Sequence, residues 1–357
     1  MISVIRGNSN TEILVNSINT MDKAGELQKS RTSVNSSAVV SIGHAVVELS
    51  NPINRWMAHP ERKDNILGIM GEVLWVLSGG YAIDNWMSIM VPRAKMFSDD
   101  MVTWRGAYGE RLYNYDQLQT VTDRLRSDLG NRKCVATIHD PSRDSDVGLV
   151  NSIGSINTAD MICNIALSFK YRNGGLDCTV FNRSNDLIWG LTNVNLVEFT
   201  IIQEIIATML KVDMGNYVVM TDDLHWYPEV SNIKKQVSNI RAYVDDINEA
   251  PVTTIDLGSL NSWYKIRTYF QHYIATLEDA ASRYNSDHSI LEYVMEDVGR
   301  EFQPGSTLDV MMWLAGAHYL CKTTGAHMSI QCEHLVNSPF VKWVANRLGD
   351  KSPFILE

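Results

Sequence analysis

The sequence predicts an α+β fold, in which a mixed β-sheet core with flanking helices is followed by a helical C-terminal section. Three observations support this prediction. Runs of β-branched residues alternate with helical patterns before about residue 230, an Asn-Gly dipeptide joins two strand-like runs, and strand signals are few after Pro228. The 357 residues are enough for one large or two medium domains. We expect a core over residues 1–230 and a mainly helical section over residues 231–357 that packs on it.

The composition is that of an ordinary globular protein, with 45% hydrophobic residues, 20% charged residues and a net charge of −10. The acidic balance argues against a nucleic-acid partner, because binding a phosphate backbone requires a basic face. The five cysteines are an odd number without close CxxC pairs, which favours a reducing, cytoplasmic setting over a disulfide framework. The N-terminal segment has no long apolar run, so we expect no membrane partner.

Several elements precede the middle of the chain. Residues 38–49 are rich in β-branched residues and are expected to form a strand. Residues 64–80 have the pattern of an amphipathic helix that ends at Gly79 and Gly80. Residues 134–140 predict another strand, and the polar stretch 141–160 is typical of a long loop.

The clearest local structure is a hairpin, in which two β-rich runs are joined by the sequence RNGG. This places Cys163 at the start of the first strand and Arg183 at the end of the second. A helix over 195–212 and a strand over 216–223 follow. The C-terminal section is expected to contain helices over 262–284 and 307–324.

A cysteine acts as a nucleophile only where its thiolate is accessible and stabilised by positive charge. The hairpin can bring Cys163 close to Arg183 across the sheet. The alternative is that Cys163 is a small core residue, which is the ordinary role of cysteine and the interpretation of the other four. The segment RSND places a guanidinium, the Ser184 hydroxyl, an amide and the Asp186 carboxylate at a strand end just before a helix, where phosphate and polar heterocycle edges are commonly bound. The alternative is a polar turn that caps the next helix.

The CNIALSF strand and the RSNDLIWGL segment together resemble the catalytic region of the thymidylate synthase superfamily. Further segments resemble landmarks of that family in the same order. They are SRTS with Arg31, GEVLWVLSG with Glu72, GAYGERL with Tyr108, NRKCVAT with Arg132 and Lys133, and DLHWY with His225 and Tyr227. The resemblance covers about residues 30–230 and implies a thymidylate synthase-like fold whose catalytic core is residues 1–230.

The resemblance implies a role for each of these residues. Cys163 is the nucleophile, Arg183 stabilises it, and Glu72 and Tyr108 organise water for proton transfer. The phosphate is bound by Arg31, Arg132, Lys133, Arg183 and Ser184, the sugar hydroxyl by His225 and Tyr227, and the pterin of the co-substrate 5,10-methylenetetrahydrofolate by Asp186. It also implies a homodimer in which Arg132 and Lys133 reach the partner's phosphate site. Apart from the resemblance, each residue has an ordinary structural alternative. The basic residues could be solvated surface residues, Glu72 could be an exposed helix carboxylate, and His225 and Tyr227 could be structural polar groups.

The sequence also departs from the family. Ile162 and Asn164 stand where thymidylate synthases have proline and histidine beside the catalytic cysteine, and Lys133 replaces an arginine. Counted without gaps, Ala94 and Phe97 fall at two folate-side tryptophans. A methyl group at Ala94 would leave a gap that water could enter. The C-terminal SPFILE also lacks the usual apolar ending that closes over folate. These changes resemble the phage and antibiotic-pathway branch, the nucleotide hydroxymethylases.

The resemblance implies a position that reads the base. The helix after Gly190 is one residue longer than the usual spacing in the family, so this position is either Asn195, by helix alignment, or Val194, by distance from Gly190. An asparagine amide there favours uracil, although a flipped amide would suit cytosine. We expect 5-hydroxymethylation of dUMP or dCMP. The alternatives are reductive methylation by a thymidylate synthase and an inactive nucleotide- or RNA-binding relative. The family resemblance also suggests a phage DNA-modification pathway in the host cytoplasm.

A cysteine and histidine cluster in the C-terminal section offers a metal-site alternative. The cluster consists of His318, Cys321, His327, Cys332 and His334. Its spacing matches no tight zinc module, so we expect no metal.

Overall fold

The computed structural model describes residues 2–29, 38–283 and 290–357. The chain divides into two compact units. Unit 1 comprises Met1–Asp64, Thr120–Ile156 and Met161–Ala250, and unit 2 comprises Asn65–Gln119, Asn157–Asp160 and Pro251–Glu357. Each unit is therefore assembled from separate segments of the chain.

The described residues form strands and α-helices that alternate over most of the chain. The strands are β1 (Ser3–Gly7), β2 (Glu26–Lys29), β3 (Ala38–Ser41), β4 (Ala45–Leu49), β5 (Val135–Thr137), β6 (Asn164–Arg172), β7 (Gly175–Asn182), β8 (Asn185–Asp186), β9 (Asp213–Thr221), β10 (Leu224–Trp226), β11 (Met328–Ile330) and β12 (Phe354–Leu356). The α-helices are α1 (Asn10–Ala24), α2 (Ile66–Leu77), α3 (Asn85–Met90), α4 (Tyr108–Tyr113), α5 (Gln117–Ser127), α6 (Pro141–Asp144), α7 (Asp146–Ile153), α8 (Asn195–Leu210), α9 (Ser231–Ala242), α10 (Trp263–Arg283), α11 (Ile290–Val298), α12 (Thr307–Thr324), α13 (Glu333–Val336) and α14 (Pro339–Leu348).

The larger sheet of unit 1 has six strands in the order β1-β4-β9-β7-β6-β5 and is mixed, as predicted. Strand β7 pairs with β9 in parallel and with β6 antiparallel. The β6–β7 hairpin turns at Asn173 and Gly174, which both have positive φ, as the Asn-Gly turn requires. The apolar helix α8 packs on β7 and β9 with most of its residues buried, which confirms the predicted helix.

The smaller sheet of unit 1 has the order β2-β3-β10-β8. Strand β10 runs antiparallel to β3 and parallel to β8. His225 on β10 is consequently paired with Ser41 on one side and with Asp186 on the other. This sheet therefore joins the two segments RSND and DLHWY that the sequence separates by about forty residues.

Two predictions for unit 1 were wrong. Residues 38–49 form two strands rather than one, because the chain turns at Gly43 with a φ of +64°. The predicted loop 141–160 contains the helices α6 and α7. The side chains of Asp140 and Ser145 accept hydrogen bonds from the first turns of these helices, which is the capping that starts a helix in a polar sequence.

Unit 2 is mainly helical, with α2 and α12 packed together and buried along most of their length. The predicted helices 262–284 and 307–324 correspond to α10 and α12, although residue 284 lies outside the described part of the chain. Trp86 packs against the rings of Tyr273 and Tyr319, with centroids 6.1 and 5.3 Å apart. The short strands β11 and β12 pair in parallel.

One helical run of the described chain, Leu187–Leu210, is long and apolar enough to cross a membrane. Of its most apolar window, 67% is buried within the protein. Core helices of folded domains have the same properties, so length and apolarity alone are weak evidence for a membrane span.

Candidate active site

Cys163 lies one residue before β6, is half-buried, and is close to Arg183. The Arg183 Nη2 is 3.8 Å from the Cys163 sulfur, and the Arg183 backbone N–H donates to the Cys163 carbonyl at 3.1 Å. The Arg183 side chain also donates to the carbonyl oxygens of Ile162 and Met161, at 2.8 and 3.0 Å. The hairpin thus brings the thiol and the guanidinium together as the sequence predicts, and the carbonyls hold the cation in place.

A chain of polar contacts runs through His225, which is buried with 6% of its surface exposed. Its Nδ1 is 3.1 Å from Asp223 Oδ2 and 3.4 Å from Ser184 Oγ. Its Nε2 is 3.2 Å from the Tyr227 hydroxyl. Ser41 donates a hydrogen bond to the other Asp223 oxygen. The sheet therefore brings together Ser184, His225 and Tyr227, which the resemblance placed in one site.

The charges around His225 favour its protonated form. Burial alone would lower the pKa of His225, but the hydrogen bond with Asp223 and the nearby carboxylates of Asp223 and Asp186 outweigh that effect and raise it. The hydrogen bond with His225 in turn lowers the pKa of Asp223, against the opposing effect of burial. His225 and Asp223 therefore stabilise each other's charged forms.

Asp186 occupies the N-terminal end of the helical segment that follows β8. Its Oδ1 accepts a hydrogen bond from the Trp189 backbone N–H, while its Oδ2 is buried and has no hydrogen-bond partner among the described residues. Burial raises the pKa of Asp186, although the nearby His225 partly opposes the shift. A buried carboxylate oxygen without a donor is costly, and a ligand N–H would satisfy it.

The segment Leu187–Val194 is a π-helix with irregular backbone angles at Thr192 and Asn193. A π-helical turn holds more residues than an α-helical turn, which accounts physically for the one-residue excess seen in the sequence after Gly190. Asn195 is the first residue of α8 and donates from its Nδ2 to Glu198 at 3.3 Å. Its Oδ1 lies near Gly190, where a Cβ would come within 3.0 Å of it. Asn195 is thus packed against Gly190.

The predicted phosphate-binding residues outside the hairpin are exposed or undescribed. Arg132 and Lys133 are both exposed, just before β5. Their backbone carbonyls accept hydrogen bonds from Lys170 and Arg124, at 2.6 and 2.7 Å. Arg31 lies outside the described residues.

Glu72 and Tyr108 belong to unit 2. Glu72 is half-buried on α2, where every other residue is buried. Burial raises the pKa of Glu72 from its ordinary value of 4.5 to about 7. Tyr108 is the half-buried first residue of α4. Glu72 is therefore not the exposed helix carboxylate that was the alternative to a catalytic role. With this pKa, its carboxyl group changes protonation near neutral pH.

Residues 13–269 match the family model for thymidylate synthase. The chain belongs to the thymidylate synthase family. It is 33% identical over 265 residues to a deoxyuridylate hydroxymethyltransferase of Bacillus phage SP01, a match that covers 69% of this chain and 65% of that protein. A protein of the same description from Delftia phage PhiW-14 is 33% identical over 180 residues, half of each chain. A thymidylate synthase of Staphylococcus haemolyticus is 23% identical over 168 residues, which is 44% of this chain and 49% of that protein. The chain thus spans about half to two thirds of the length of these relatives.

The prediction of a gap beside Ala94 is wrong. Ala94 was predicted to border a gap that water enters, but only 1% of its surface is exposed. The Trp104 indole N–H donates to the Ala94 carbonyl at 3.1 Å, and the Trp104 ring meets Trp75 edge-on with centroids 5.7 Å apart. Arg93 and Lys95 on either side are exposed, as expected of charged residues. Protein packing therefore fills the space beside Ala94.

The next feature is the cysteine and histidine cluster of the C-terminal section, which was the metal-site alternative. Within residues 2–29, 38–283 and 290–357, no three His, Cys, Asp or Glu side chains are grouped as metal ligands. Burial lowers the pKa of His318 to about 4, and His334 is instead paired with Asp309 at 3.1 Å.

Three residues near the proposed site were not predicted from the sequence. Asp223 shares the two-residue period of His225 and Tyr227 in DLHWY, so the alternation of side chains along a strand could have revealed it. Ser41 could not be found this way, because only the pairing of β3 with β10 brings it near. Glu198 is buried with 2% exposed and follows Asn195 by three residues, the spacing that places two side chains on one helix face.

Proposed function

We propose that the chain transfers a one-carbon unit from 5,10-methylenetetrahydrofolate to C5 of a pyrimidine nucleoside monophosphate, and that its product from dUMP is 5-hydroxymethyl-dUMP. The observation that carries the proposal is the Arg183 guanidinium 3.8 Å from the Cys163 sulfur in a chain of the thymidylate synthase family. The phage relatives described as deoxyuridylate hydroxymethyltransferases favour water over hydride in the last step.

Cys163 is the proposed nucleophile. Its thiolate adds to C6 of the pyrimidine, which makes C5 nucleophilic toward the one-carbon unit. Arg183 stabilises the thiolate and contributes to phosphate binding. Two backbone carbonyls fix its guanidinium, so little side-chain freedom is lost when the substrate arrives.

The nucleotide phosphate is a dianion, and this acidic chain must meet it with a local set of donors. We assign that role to Arg31, Arg132, Lys133, Arg183 and Ser184. His225 and Tyr227 bind the sugar hydroxyl. The contact of Ser184 with His225 supports one continuous binding surface for phosphate and sugar.

Glu72 and Tyr108 organise the water that removes the C5 proton. A carboxyl group whose pKa is about 7 can both accept and return a proton near neutral pH, which is the property required of a general acid–base group. The same carboxyl at its ordinary pKa would be a weaker base.

Asp186 holds the pterin of the folate co-substrate. No described residue donates a hydrogen bond to its buried Oδ2, and a pterin N–H can do so, so the residue fits this ligand. When bound, methylenetetrahydrofolate supplies the one-carbon unit. One water is consumed and tetrahydrofolate is released, so hydroxymethylation leaves the folate at its original oxidation level.

The base is read by Asn195, and we propose uracil as the preferred base. The amide can donate to O4 and accept from N3–H of uracil. The close approach of Asn195 to Gly190, and the extra residue held by the π-helical turn before it, favour Asn195 over Val194. Cytosine remains the alternative base, in which case the substrate is dCMP.

The enzyme acts as a homodimer joined through the open face of the six-stranded sheet. On that face, paired residues of neighbouring strands form a row across the sheet. The row includes Val4, Val46, Met220 and Phe181. Met220 and Phe181, each the last residue but one of its strand, are 41% and 37% exposed, which is unusual for large apolar residues within a sheet. A second copy of the same face would cover them and place Arg132 and Lys133 within reach of the partner's phosphate site.

We further propose that the enzyme works in the cytoplasm, that of the host if a phage encodes it, and that it prepares a modified pyrimidine nucleotide for phage DNA. Every residue proposed for the site lies within residues 1–230, the proposed catalytic core. Neither a metal nor a nucleic acid is needed for the reaction.

The first alternative is reductive methylation by a thymidylate synthase, in which hydride gives a 5-methyl product and oxidises the folate. Incubating the protein with methylenetetrahydrofolate and either dUMP or dCMP tests it. Our proposal predicts nucleotide turnover without the absorbance of dihydrofolate, whereas stoichiometric dihydrofolate would establish the methylase. An inactive binding relative would turn over neither nucleotide.

A further inference from the structure

We propose that Asp223, held by Ser41, is a positioning residue that fixes the tautomer of the neutral His225 ring. That tautomer determines whether the Tyr227 hydroxyl accepts a hydrogen bond from the sugar hydroxyl or donates one to it. The inference rests on the proposed function, because that proposal assigns His225 and Tyr227 to the sugar. It adds a residue that does not touch the substrate but acts through one that does.

The contacts of Ser41 determine which oxygen of the Asp223 carboxylate faces His225. The Gly43 backbone N–H donates to Ser41 Oγ at 2.9 Å, so the Ser41 hydroxyl is directed as a donor to Asp223 Oδ1. The other oxygen of Asp223, Oδ2, is left to face His225 Nδ1 at 3.1 Å. A carboxylate only accepts hydrogen bonds, so it holds the proton of a neutral ring on Nδ1. The Ser184 hydroxyl oxygen, 3.4 Å from the same nitrogen, can also accept from that proton.

The opposite ring nitrogen then determines the state of Tyr227. With the proton on Nδ1, Nε2 is an acceptor, and the Tyr227 hydroxyl at 3.2 Å donates to it. In this state the Tyr227 oxygen can accept from the sugar O–H. With the proton on Nε2 instead, the ring would donate to Tyr227, whose O–H would then point at the sugar.

Asp223→Asn reverses this arrangement in a predictable way. Ser41 still needs an acceptor, so it holds the amide oxygen, and the amide nitrogen turns toward His225. That nitrogen can only donate, which forces the proton of a neutral ring to Nε2. The titratable groups that face the ring are Asp223, Asp186 and Tyr227. The two carboxylates raise the pKa of His225, and only the neutral ring has a tautomer, so all variants are compared at a pH above that raised pKa.

The first readout is nitrogen NMR of the His225 ring, which reports the tautomer without any turnover. We expect a proton on Nδ1 in the unmodified protein and on Nε2 in Asp223→Asn. Asp222→Asn is the matched control, because Asp222 is an exposed neighbouring carboxylate that pairs with His44 at 3.4 Å. The same tautomer in Asp223→Asn as in the control would overturn the proposal.

The second readout is the dissociation constant for two nucleotides, dUMP and 2′,3′-dideoxyuridine monophosphate, which lacks the sugar hydroxyl. We expect Asp223→Asn to weaken dUMP about tenfold, or about 1.4 kcal/mol, and the dideoxy nucleotide less than twofold. Equal weakening of both would mean a general structural role and would overturn the proposal. If Asp223→Asn does not fold, Ser41→Ala is measured instead, with a smaller loss for dUMP alone.

The two experiments separate this inference from the proposed function. A protein that shows the expected tautomers but does not bind dUMP contradicts the proposed function. A protein that binds and converts dUMP but keeps its tautomer in Asp223→Asn contradicts only the role of Asp223.

Discussion

Cys163 is the residue whose chemistry is most easily isolated. We expect 5-fluoro-dUMP and methylenetetrahydrofolate to form a covalent complex with the protein, because fluorine at C5 cannot leave as a proton does. Cys163→Ala should form none, and intact-protein mass spectrometry measures the difference. Cys321→Ala is the control, since Cys321 is also half-buried but burial raises its pKa and the thiol stays protonated. An adduct that persists in Cys163→Ala would exclude this sulfur as the nucleophile.

Glu72 predicts a specific pH dependence. Because the pKa of its carboxyl is about 7, the base form increases through neutral pH, and kcat should rise with it. Glu72→Gln should lower kcat by roughly 10²–10⁴-fold and remove this rising limb. A Gln variant whose pH profile keeps the same limb would show that another group titrates there.

The same carboxyl affects stability with a definite sign. The folded protein holds the Glu72 proton up to about pH 7, whereas the unfolded chain releases it near 4.5. Between these values the folded state binds more protons, so the free energy of unfolding falls as the pH rises. Urea unfolding of the two proteins across this range should show a shallower decline for Glu72→Gln.

At the scale of elements, the π-helical segment Leu187–Val194 positions the proposed base-reading residue. A Cβ at Gly190 would come within 2.7 Å of Asn185 Oδ1 and 3.0 Å of Asn195 Oδ1. Both atoms are ends of side chains and can move cheaply, so Gly190→Ala should change stability little. We expect a several-fold higher KM for dUMP with a melting temperature close to that of the unmodified protein. An unchanged KM would mean that neither amide contacts the base.

Element patterns in the sequence predict much of unit 1 but not its irregular parts. The β6–β7 hairpin was predictable because Asn-Gly at 173 and 174 specifies its turn, and α8 because it is apolar all round. The π-helical turn was not, since no residue in LIWGLTNV codes for i→i+5 bonding and only tertiary packing can favour it. The division of 38–49 into two strands likewise depends on one glycine, Gly43, within a continuous β-branched run.

For the molecule as a whole, the proposed dimer predicts that activity requires the exposed face of the six-stranded sheet, because that face would join the two subunits. Phe181→Glu places a charge on the proposed interface, where it would be desolvated without a partner. We expect a monomer by analytical ultracentrifugation and a large loss of activity, because Arg132 and Lys133 could no longer reach a partner. Val244→Glu, a change at a 91% exposed position away from the sheets, is the control. A monomer with full activity would contradict the shared site.

The division into two units was beyond sequence reasoning. The apolar pattern of α2 shows that the helix is buried, but it does not show that α12, more than two hundred residues later, is its neighbour. The family could be predicted, because several short motifs of this chain resemble those of the family and occur in the same order. The positions of Ser41 and Asp223 could not be predicted as a pair, because strand pairing joins them.

The mass of the nucleotide product distinguishes hydroxymethylation from reductive methylation. We expect dUMP and methylenetetrahydrofolate to give 5-hydroxymethyl-dUMP, with one oxygen atom derived from water and tetrahydrofolate as the other product. Reaction in ¹⁸O-labelled water should therefore transfer the label to the nucleotide. A product lighter by one oxygen, unlabelled and accompanied by dihydrofolate, would contradict hydroxymethylation.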